Sequence, residues 1–304
     1  MAAGFPVARR IWRIFPYAGS RCVLREMHWG SDRLMGLFCQ KMRACGVAGL
    51  VLGAGLCPAA AGGTPPYDST ADTVFDIIEA DDPSSFRCLT DIGRGARQIW
   101  DKRVDGEPVV EAFLFTADYS DGASIEIAVN PEFAAADKAR AEAMRYAVPL
   151  GRLPPLLREG IGRFSVHGGD EGFHAGTGQI VVYAERATRR IAQAHLEESL
   201  FHEAVHATLD DDHRLAPAWQ EAQRRDGGFL TAYAQATPDR EDLAETALFA
   251  FALLRYPERF PPVDTQTVRQ VVPNRLAYIA RLFPREQPLT SEEQDTRPCP
   301  GDHS

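Results

Sequence analysis

Apolar, β-branched and aromatic residues dominate two stretches in the first half of the chain, 109–116 and 123–129. The residues between them, at 118–122, favour a turn, so the two stretches predict a β-hairpin. Shorter strands are predicted at 163–167 and 179–184, on either side of a Gly-rich stretch. These four segments predict one small sheet in this half of the chain.

The second half of the chain has the composition of helices. Apolar residues four to five positions apart predict a helix over 188–209. A later helix is predicted to begin at Pro238, which suits the first helical position, with Thr237 as its cap, and to stop before Pro257. An earlier helix is predicted over 131–146. Strands followed by helices predict an α+β fold in a single domain.

A predicted signal peptide separates the first sixty residues from this domain. Basic residues at 41–43 precede an uncharged apolar run at 44–57, and small residues follow up to Ala61. This order is typical of an export signal, and the run is shorter than the roughly 20 apolar residues of a membrane span. We therefore expect cleavage near Ala61, no stable membrane insertion afterwards, and an exported protein, periplasmic or secreted. A membrane anchor near the N-terminus is the alternative.

The predicted boundaries are a leader and signal peptide at 1–61, one domain at 62–283 and an irregular tail at 284–304. Residues 1–34 do not suit a signal peptide, so translation is expected to begin at Met35 or Met42. The Pro/Gly-rich start of the domain, 62–71, is predicted to be flexible. Cys88 and Cys299 alone follow the predicted cleavage site, and in an oxidising compartment they predict a disulfide. Two unrelated thiols are the alternative.

The charge of the chain excludes one class of partner. The sequence holds 42 Asp and Glu against 33 Lys and Arg, a net charge of −9 at pH 7. An acidic chain lacks the basic surface that binds phosphates, so we expect no nucleic-acid partner. No Gly-rich phosphate loop follows a predicted strand, and neither a nucleotide nor a flavin is expected.

The clearest chemical signal is the sequence His-Glu-Ala-Val-His at 202–206, inside a predicted helix. Residues four apart share one helix face, so His202 and His206 can direct two imidazoles at one zinc ion. Glu203 lies beside them, where a carboxylate can act as general base towards a zinc-activated water. The motif therefore predicts a catalytic zinc site.

Such a site needs a third protein ligand. Asp212 and His213 follow the motif closely, but the glycine and the later methionine of the metzincins are missing. Glu241 is the better candidate, because the first turn of the later helix could turn its carboxylate towards the histidines. Glu245 is predicted to lie on the same face of that helix as Glu241. The alternative is that both glutamates are solvated surface charges.

Together these motifs resemble the gluzincin zinc peptidases. The stretch 230–236 with Glu241 and Glu245 is similar in particular to catalytic domains of the anthrax lethal factor type, over about fifty residues from His202. The resemblance implies a zincin-like fold, in which a small mixed sheet has an edge strand just before the zinc helix. The strand at 179–184 would be that edge and would pair with substrate peptide.

The resemblance also implies a role for each site residue. The implied zinc ligands are His202, His206 and Glu241. Glu203 would be the general base, Tyr233 would stabilise the oxyanion of the intermediate, and Glu245 would orient a ligand imidazole. His167 and His174 are interpreted as loop histidines, with lining of the cleft as the alternative.

The predicted function is therefore an exported zinc metallopeptidase that hydrolyses a peptide or protein substrate, with Glu203 as base. One alternative is a catalytically weak, zinc-containing binding module of the cell envelope. Another is a zinc hydrolase that acts on a non-peptide amide. His195 is interpreted as a surface or packing residue of the helix, and the three aspartates at 210–212 as a solvated helix end, with calcium binding as the alternative.

Overall fold

The computed structural model describes residues 63–73, 75–284 and Cys299, all within one compact unit. The predicted leader, the signal peptide and most of the predicted tail lie outside the described residues. Among the helices of the described part, none is both long enough and apolar enough to cross a membrane.

Six strands form one mixed sheet. They are β1 (Phe86–Gln98), β2 (Val109–Tyr119), β3 (Ser124–Val129), β4 (Arg163–His167), β5 (His174–Gly176) and β6 (Gln179–Tyr183). Their order in the sheet is β1-β2-β3-β4-β6-β5. The three central strands β3, β4 and β6 are parallel, and the other neighbours pair antiparallel.

Nine α-helices of the described chain pack around this sheet and against one another. They are α1 (Ala136–Leu150), α2 (Pro155–Glu159), α3 (Ala184–Ala192), α4 (Leu196–Leu209), α5 (Pro217–Asp226), α6 (Ala232–Ala236), α7 (Pro238–Arg255), α8 (Pro262–Val271) and α9 (Pro273–Leu282). A π-helical turn, Asp210–Arg214, follows α4, and α7 packs between α4, α6 and α9. Strands precede most helices, which confirms the predicted α+β class.

The period of two along the strands divides the buried residues between the faces of the sheet. In β2, Phe113 and Phe115 belong to the main core, which α1, α4 and α7 cover. Ala112 and Leu114 point to the other face and join a small cluster with Ile99, in the loop that connects β1 to β2. This loop is therefore held against the face of the sheet opposite the main core.

The prediction of the edge strand is wrong. Residues 179–183 form β6, and Ala184 already begins α3. β6 lies between β4 and β5, and the last strand on that side is β5. The sequence analysis did not predict β5, because its three residues lie in the Gly-rich stretch. β5 pairs with β6 through a tight turn in which Gly178 has a φ of 67°. Glycine suits this left-handed backbone. In addition, α3 separates β6 from the helix that carries the histidines.

The prediction of a single helix over 188–209 is also wrong. The chain forms two helices, α3 and α4, and between them Ala194 has a left-handed φ of 50°. The backbone N–H of His195 donates to the Arg190 carbonyl at 2.8 Å and ends the first helix. The apolar stripe from Leu196 onward thus belongs to α4 alone.

The later helix matches its prediction more closely. It begins at Pro238 and ends at Arg255, before Pro257. Thr237 occupies the cap position, but its hydroxyl donates to the Tyr233 carbonyl at 3.0 Å instead of capping the helix. The prediction of a side-chain cap is therefore wrong, although the start of the helix is right.

Helix α7 is buried on all sides over 241–253. Asp242 accepts hydrogen bonds from Nη1 of Arg275 at 2.5 Å and from Nε2 of Gln223 at 2.8 Å. Arg275, on α9, also binds Asp226, and the side chains of this ion cluster are fully buried. Pairing and hydrogen bonding compensate the desolvation of these charges.

The ends of the described domain are attached to its body. Cys88 in β1 lies at disulfide distance from Cys299, with 5.6 Å between the Cα atoms, as predicted for this pair. The prediction that 62–71 is flexible is wrong, because Tyr67 stacks on Phe249 with ring centroids 4.9 Å apart. The Tyr67 hydroxyl also donates to Asp264 at 2.5 Å.

Candidate metal centre

The two histidines of the motif lie on one face of α4. Their neighbours Phe201 and Val205 are fully buried and attach this helix to the core. Since residues four positions apart are about one helical turn apart, the ring centroids of His202 and His206 are only 4.9 Å apart. Glu203 follows the first histidine and faces the same cleft.

The first turn of α7 brings Glu241 to this histidine pair. Its Oε2 lies 3.1 Å from Nε2 of His206 and 3.5 Å from Nε2 of His202, and the two nitrogens are 3.2 Å apart. Ligands bound at about 2.0–2.1 Å in a tetrahedron would stand about 3.3 Å from one another. The triangle formed by the three atoms therefore has the dimensions of one face of a tetrahedral metal site.

The outer hydrogen bonds fix which ring nitrogens carry protons. Nδ1 of His206 lies 2.9 Å from the Asp210 carboxylate, which can only accept. Nδ1 of His202 lies 3.3 Å from Glu245 Oε1 and 3.3 Å from the Thr70 hydroxyl, which donates its own proton to Glu245. When the rings are neutral, both Nδ1 atoms therefore carry the proton, and the unprotonated Nε2 atoms lie 3.1 and 3.5 Å from Glu241 Oε2.

The close approach of these nitrogen and oxygen atoms favours a positive charge in the group, from a proton or from a metal ion. Burial would lower the pKa of His206, but its hydrogen bonds with Asp210 and Glu241 raise that pKa to about 10. Burial would raise the pKa of Glu241, but His202 and His206 hold it well below the ordinary value. His202, His206 and Glu241 thus form a group that could hold a metal ion, and this donor set fits a divalent cation.

Two further polar groups of the predicted site line the same cleft. Glu203 borders two adjoining cavities, of about 510 and 450 Å³. Burial raises the pKa of its carboxyl, while the charges of His202, His206 and Lys102 oppose that shift. The Tyr233 side chain is half-exposed and also borders both cavities. Burial, followed by the charge of Glu241, raises the pKa of Tyr233 to about 12, so its hydroxyl remains a donor.

Lys102 is a cleft residue that the sequence did not suggest. It belongs to the loop between β1 and β2, and its backbone N–H donates to the Tyr183 hydroxyl at 2.7 Å. Its Nζ donates to the carbonyls of Gly172 and Phe173, both at 2.9 Å. The lysine therefore connects this loop to the segment just before β5 and places a positive charge near Glu203.

The other predicted ligand candidates lie elsewhere. The ring of His213 contacts the Tyr278 hydroxyl at 2.7 Å, and neither His213 nor Asp212 belongs to the metal-binding group. Glu245 faces the outer nitrogen of His202 and not the centre of the group. Glu241 and Glu245 are both buried, so their interpretation as solvated surface charges is wrong.

The remaining histidines separate into packing and cleft residues. His167 is fully buried in β4, where its ring contacts Asn130 and the Trp100 carbonyl, so its interpretation as a loop residue is wrong. His174, in β5, lines the cleft, as the alternative interpretation expected. His195 is buried just before α4, and its Nε2 lies 3.0 Å from the Thr70 carbonyl.

Sequence reasoning missed two residues that contact the histidines. Asp210 follows His206 by one helical turn, and this spacing could have identified it; the interpretation of 210–212 as a solvated helix end is wrong for Asp210. Thr70 lies 132 positions before His202, and no local pattern reveals that contact.

The cleft thus combines a group that could hold a metal ion with a half-buried carboxylate, Glu203, and a phenol that remains a donor. Groups of these kinds can together support hydrolysis of an acyl compound. Comparisons of the chain with protein-family models, with curated proteins and with solved structures find no match.

Proposed function

We propose that this protein is an exported zinc peptidase with a gluzincin-type centre in a zincin-like domain. The observation that carries the proposal is the 3.1–3.5 Å triangle of His202, His206 and Glu241, with Glu203 and Tyr233 beside it in one cleft. A purely structural metal site needs neither a general base nor an accessible cleft.

The ligand chemistry supports zinc. Two imidazoles and one carboxylate are typical of catalytic zinc sites, which keep a fourth position open. Calcium and magnesium prefer sites made of oxygen atoms. Bound zinc would acidify a water molecule and polarise a carbonyl oxygen.

The residues of the chain would supply the proton transfers and the positioning. The Glu203 carboxylate would take a proton from the attacking water and deliver it to the leaving amine. The Tyr233 hydroxyl would donate a hydrogen bond to the oxyanion that develops on the carbonyl. Asp210 and Glu245 would hold the two imidazoles in the required tautomer and orientation.

The shape of the cleft supports an extended substrate. The two cavities share four lining residues, so one extended chain could occupy both; these residues are Phe173, His202, Glu203 and Tyr233. The second cavity continues along the residues of β5, the last strand of the sheet, where an extended peptide could pair. Export is supported by the predicted signal at 41–61 and by the pairing of Cys88 with Cys299.

The test compares zinc content and peptide hydrolysis of the wild type with those of Glu203→Gln. We expect one zinc per chain in both proteins and hydrolysis of a mixed peptide library by the wild type alone. Glu197→Gln is the matched control, because Glu197 is a buried glutamate of the same helix whose carboxylate binds Arg152 at 2.8 Å, outside both cavities.

The outcomes separate the alternatives. Absence of stoichiometric zinc in the wild type would overturn the proposal. Zinc without hydrolysis by any variant would favour the binding module over the peptidase. Equal hydrolysis by the wild type and Glu203→Gln would remove Glu203 from its assigned role.

A further inference from the structure

We infer that residues 67–71, here called the N-terminal strap, complete the candidate metal centre, with Thr70 as its positioning residue. The inference deepens the proposed function and rests on it for the identity of the metal. It assigns a role in metal binding to a segment far from the motif in sequence.

Thr70 holds both oxygens of Glu245. Its backbone N–H donates to Oε2 at 2.8 Å, and its hydroxyl donates to Oε1 at 2.7 Å. Thr70 is 3% exposed and Glu245 is 1% exposed, so water has little access to either side chain. Two hydrogen bonds to one carboxylate fix its position and the plane of its oxygens, since hydrogen bonds to charged groups are stronger than those between neutral groups.

The carboxylate that Thr70 fixes is the one that faces His202. Glu245 Oε1 lies 3.3 Å from Nδ1 of the ring, and the Thr70 hydroxyl oxygen lies at the same distance from that nitrogen. The threonine hydroxyl therefore contacts the imidazole and the carboxylate at once. Groups in this position set the tautomer and the orientation of a ligand histidine. Loss of the hydroxyl would leave the ring less firmly oriented towards the metal.

The strap is attached to the domain at Tyr67 and at Thr70 itself. Tyr67 stacks on Phe249 of α7, and its backbone N–H donates to the Leu230 carbonyl at 3.1 Å. The Thr70 carbonyl lies 3.0 Å from Nε2 of His195. These contacts hold the strap against α7 and against the residue that precedes α4, the two helices that supply the metal ligands.

The strap also contacts the segment that carries Tyr233. The backbone N–H of Tyr233 donates to the Asp68 carbonyl at 3.0 Å. Thr70 and Asp68 also line the larger cavity. The strap thus positions two parts of the site at once: Glu245, which contacts the ligand histidine His202, and the backbone of Tyr233, the candidate oxyanion donor.

The experiment measures the zinc dissociation constant of the full metal-free chain by competition with a chromophoric chelator. The variants are Thr70→Val, which removes the hydroxyl at nearly constant volume, and Thr70→Ser, which keeps it. Thr246→Val is the matched control. Thr246 is also a buried threonine and follows Glu245 directly, but its hydroxyl donates to Asp242 and not to Glu245. Thermal unfolding of each apoprotein reports stability separately.

We expect Thr70→Val to bind zinc on the order of 10-fold more weakly than the wild type. Thr70→Ser should stay close to the wild type, and Thr246→Val should lose stability without losing zinc affinity. The visible spectrum of the Co²⁺-loaded Thr70→Val should also shift, because the ligand geometry changes.

A double-mutant cycle tests the route of the effect. In a Glu245→Gln background, Thr70→Val should add little further loss of zinc affinity, since both changes act on the same imidazole. Wild-type zinc affinity in Thr70→Val would overturn the inference and leave the proposed function standing. Failure of the wild type to bind zinc would overturn both.

Discussion

Asp210 accepts a hydrogen bond from Nδ1 of His206 at 2.9 Å, one helical turn after that histidine. Glu245 and Thr70 supply the corresponding contacts to His202. Each imidazole is therefore held by an acidic partner on the side away from the candidate metal position. Partners of this kind increase the basicity of the ligand and fix its tautomer.

Replacement of Asp210 should weaken metal binding. We expect Asp210→Ala to raise the zinc dissociation constant by about 10- to 100-fold, because His206 loses the group that orients it. The measurement is chelator competition on the metal-free protein. Asp211→Ala is the control, since Asp211 accepts from the Thr177 hydroxyl and not from a ligand histidine. Equal affinities of the two variants would contradict the assigned role of Asp210.

Replacement of Tyr233 should slow hydrolysis and leave the metal in place. We expect Tyr233→Phe to lower kcat on the order of 100-fold, the usual effect of removing one oxyanion donor. Zinc affinity should change little, because the phenol is not a ligand. Tyr278→Phe serves as the comparison, since it removes a hydroxyl that contacts His213 outside the centre. An unchanged kcat in Tyr233→Phe would show that the phenol only packs.

Glu198 should make stability depend on pH. Its Oε1 accepts from the backbone N–H groups of Ile77 and Ile78, and burial raises its pKa from 4.5 to about 7. The folded protein therefore keeps this carboxyl protonated at pH values where the unfolded chain ionises it. Its contribution is fully present below about pH 4.5 and is lost as the pH rises through 7.

Glu198→Gln should remove this dependence. Between pH 5 and pH 8 the wild type should lose about 2 kcal/mol of unfolding free energy relative to the variant. Urea denaturation of both proteins at the two pH values measures the difference, in which the other titrating groups cancel. Parallel pH dependences of the two proteins would contradict the prediction.

The pairing of Cys88 with Cys299 should stabilise the domain. The two residues are 211 positions apart, and closure of so long a loop restricts the unfolded chain strongly. Cys299→Ser should lower the free energy of unfolding by about 3–5 kcal/mol. Chemical denaturation of this variant should coincide with that of the reduced wild type, whereas a difference between them would indicate an additional effect of the substitution.

Local patterns predicted the parts of the molecule that depend on local physics. The helix spacing brought His202 and His206 to one face, and Pro238 marked the start of α7 correctly. The fold class followed from the order of strands and helices. In each case, the relevant interactions lie within a few residues of one another.

Long-range pairing explains most of what the sequence did not reveal. β1 contains Gly93, Gly95 and several charged residues, so its composition did not suggest the strand that pairing with β2 produces. The short strand β5 depends on β6 in the same way. Thr70 looked like part of a flexible leader, because its partners lie 132 and 175 positions later in the chain.

The ion cluster at Asp242 has a consequence for the neighbouring face of α7, which carries Glu241. Glu241 and Asp242 are consecutive and therefore point about 100° apart around the helix axis. Arg275 binds Asp242 from α9, while Glu241 faces the histidines. Arg275 thereby restrains the rotation of α7 about its own axis, and a contact from α9 helps to aim the metal-facing carboxylate of Glu241.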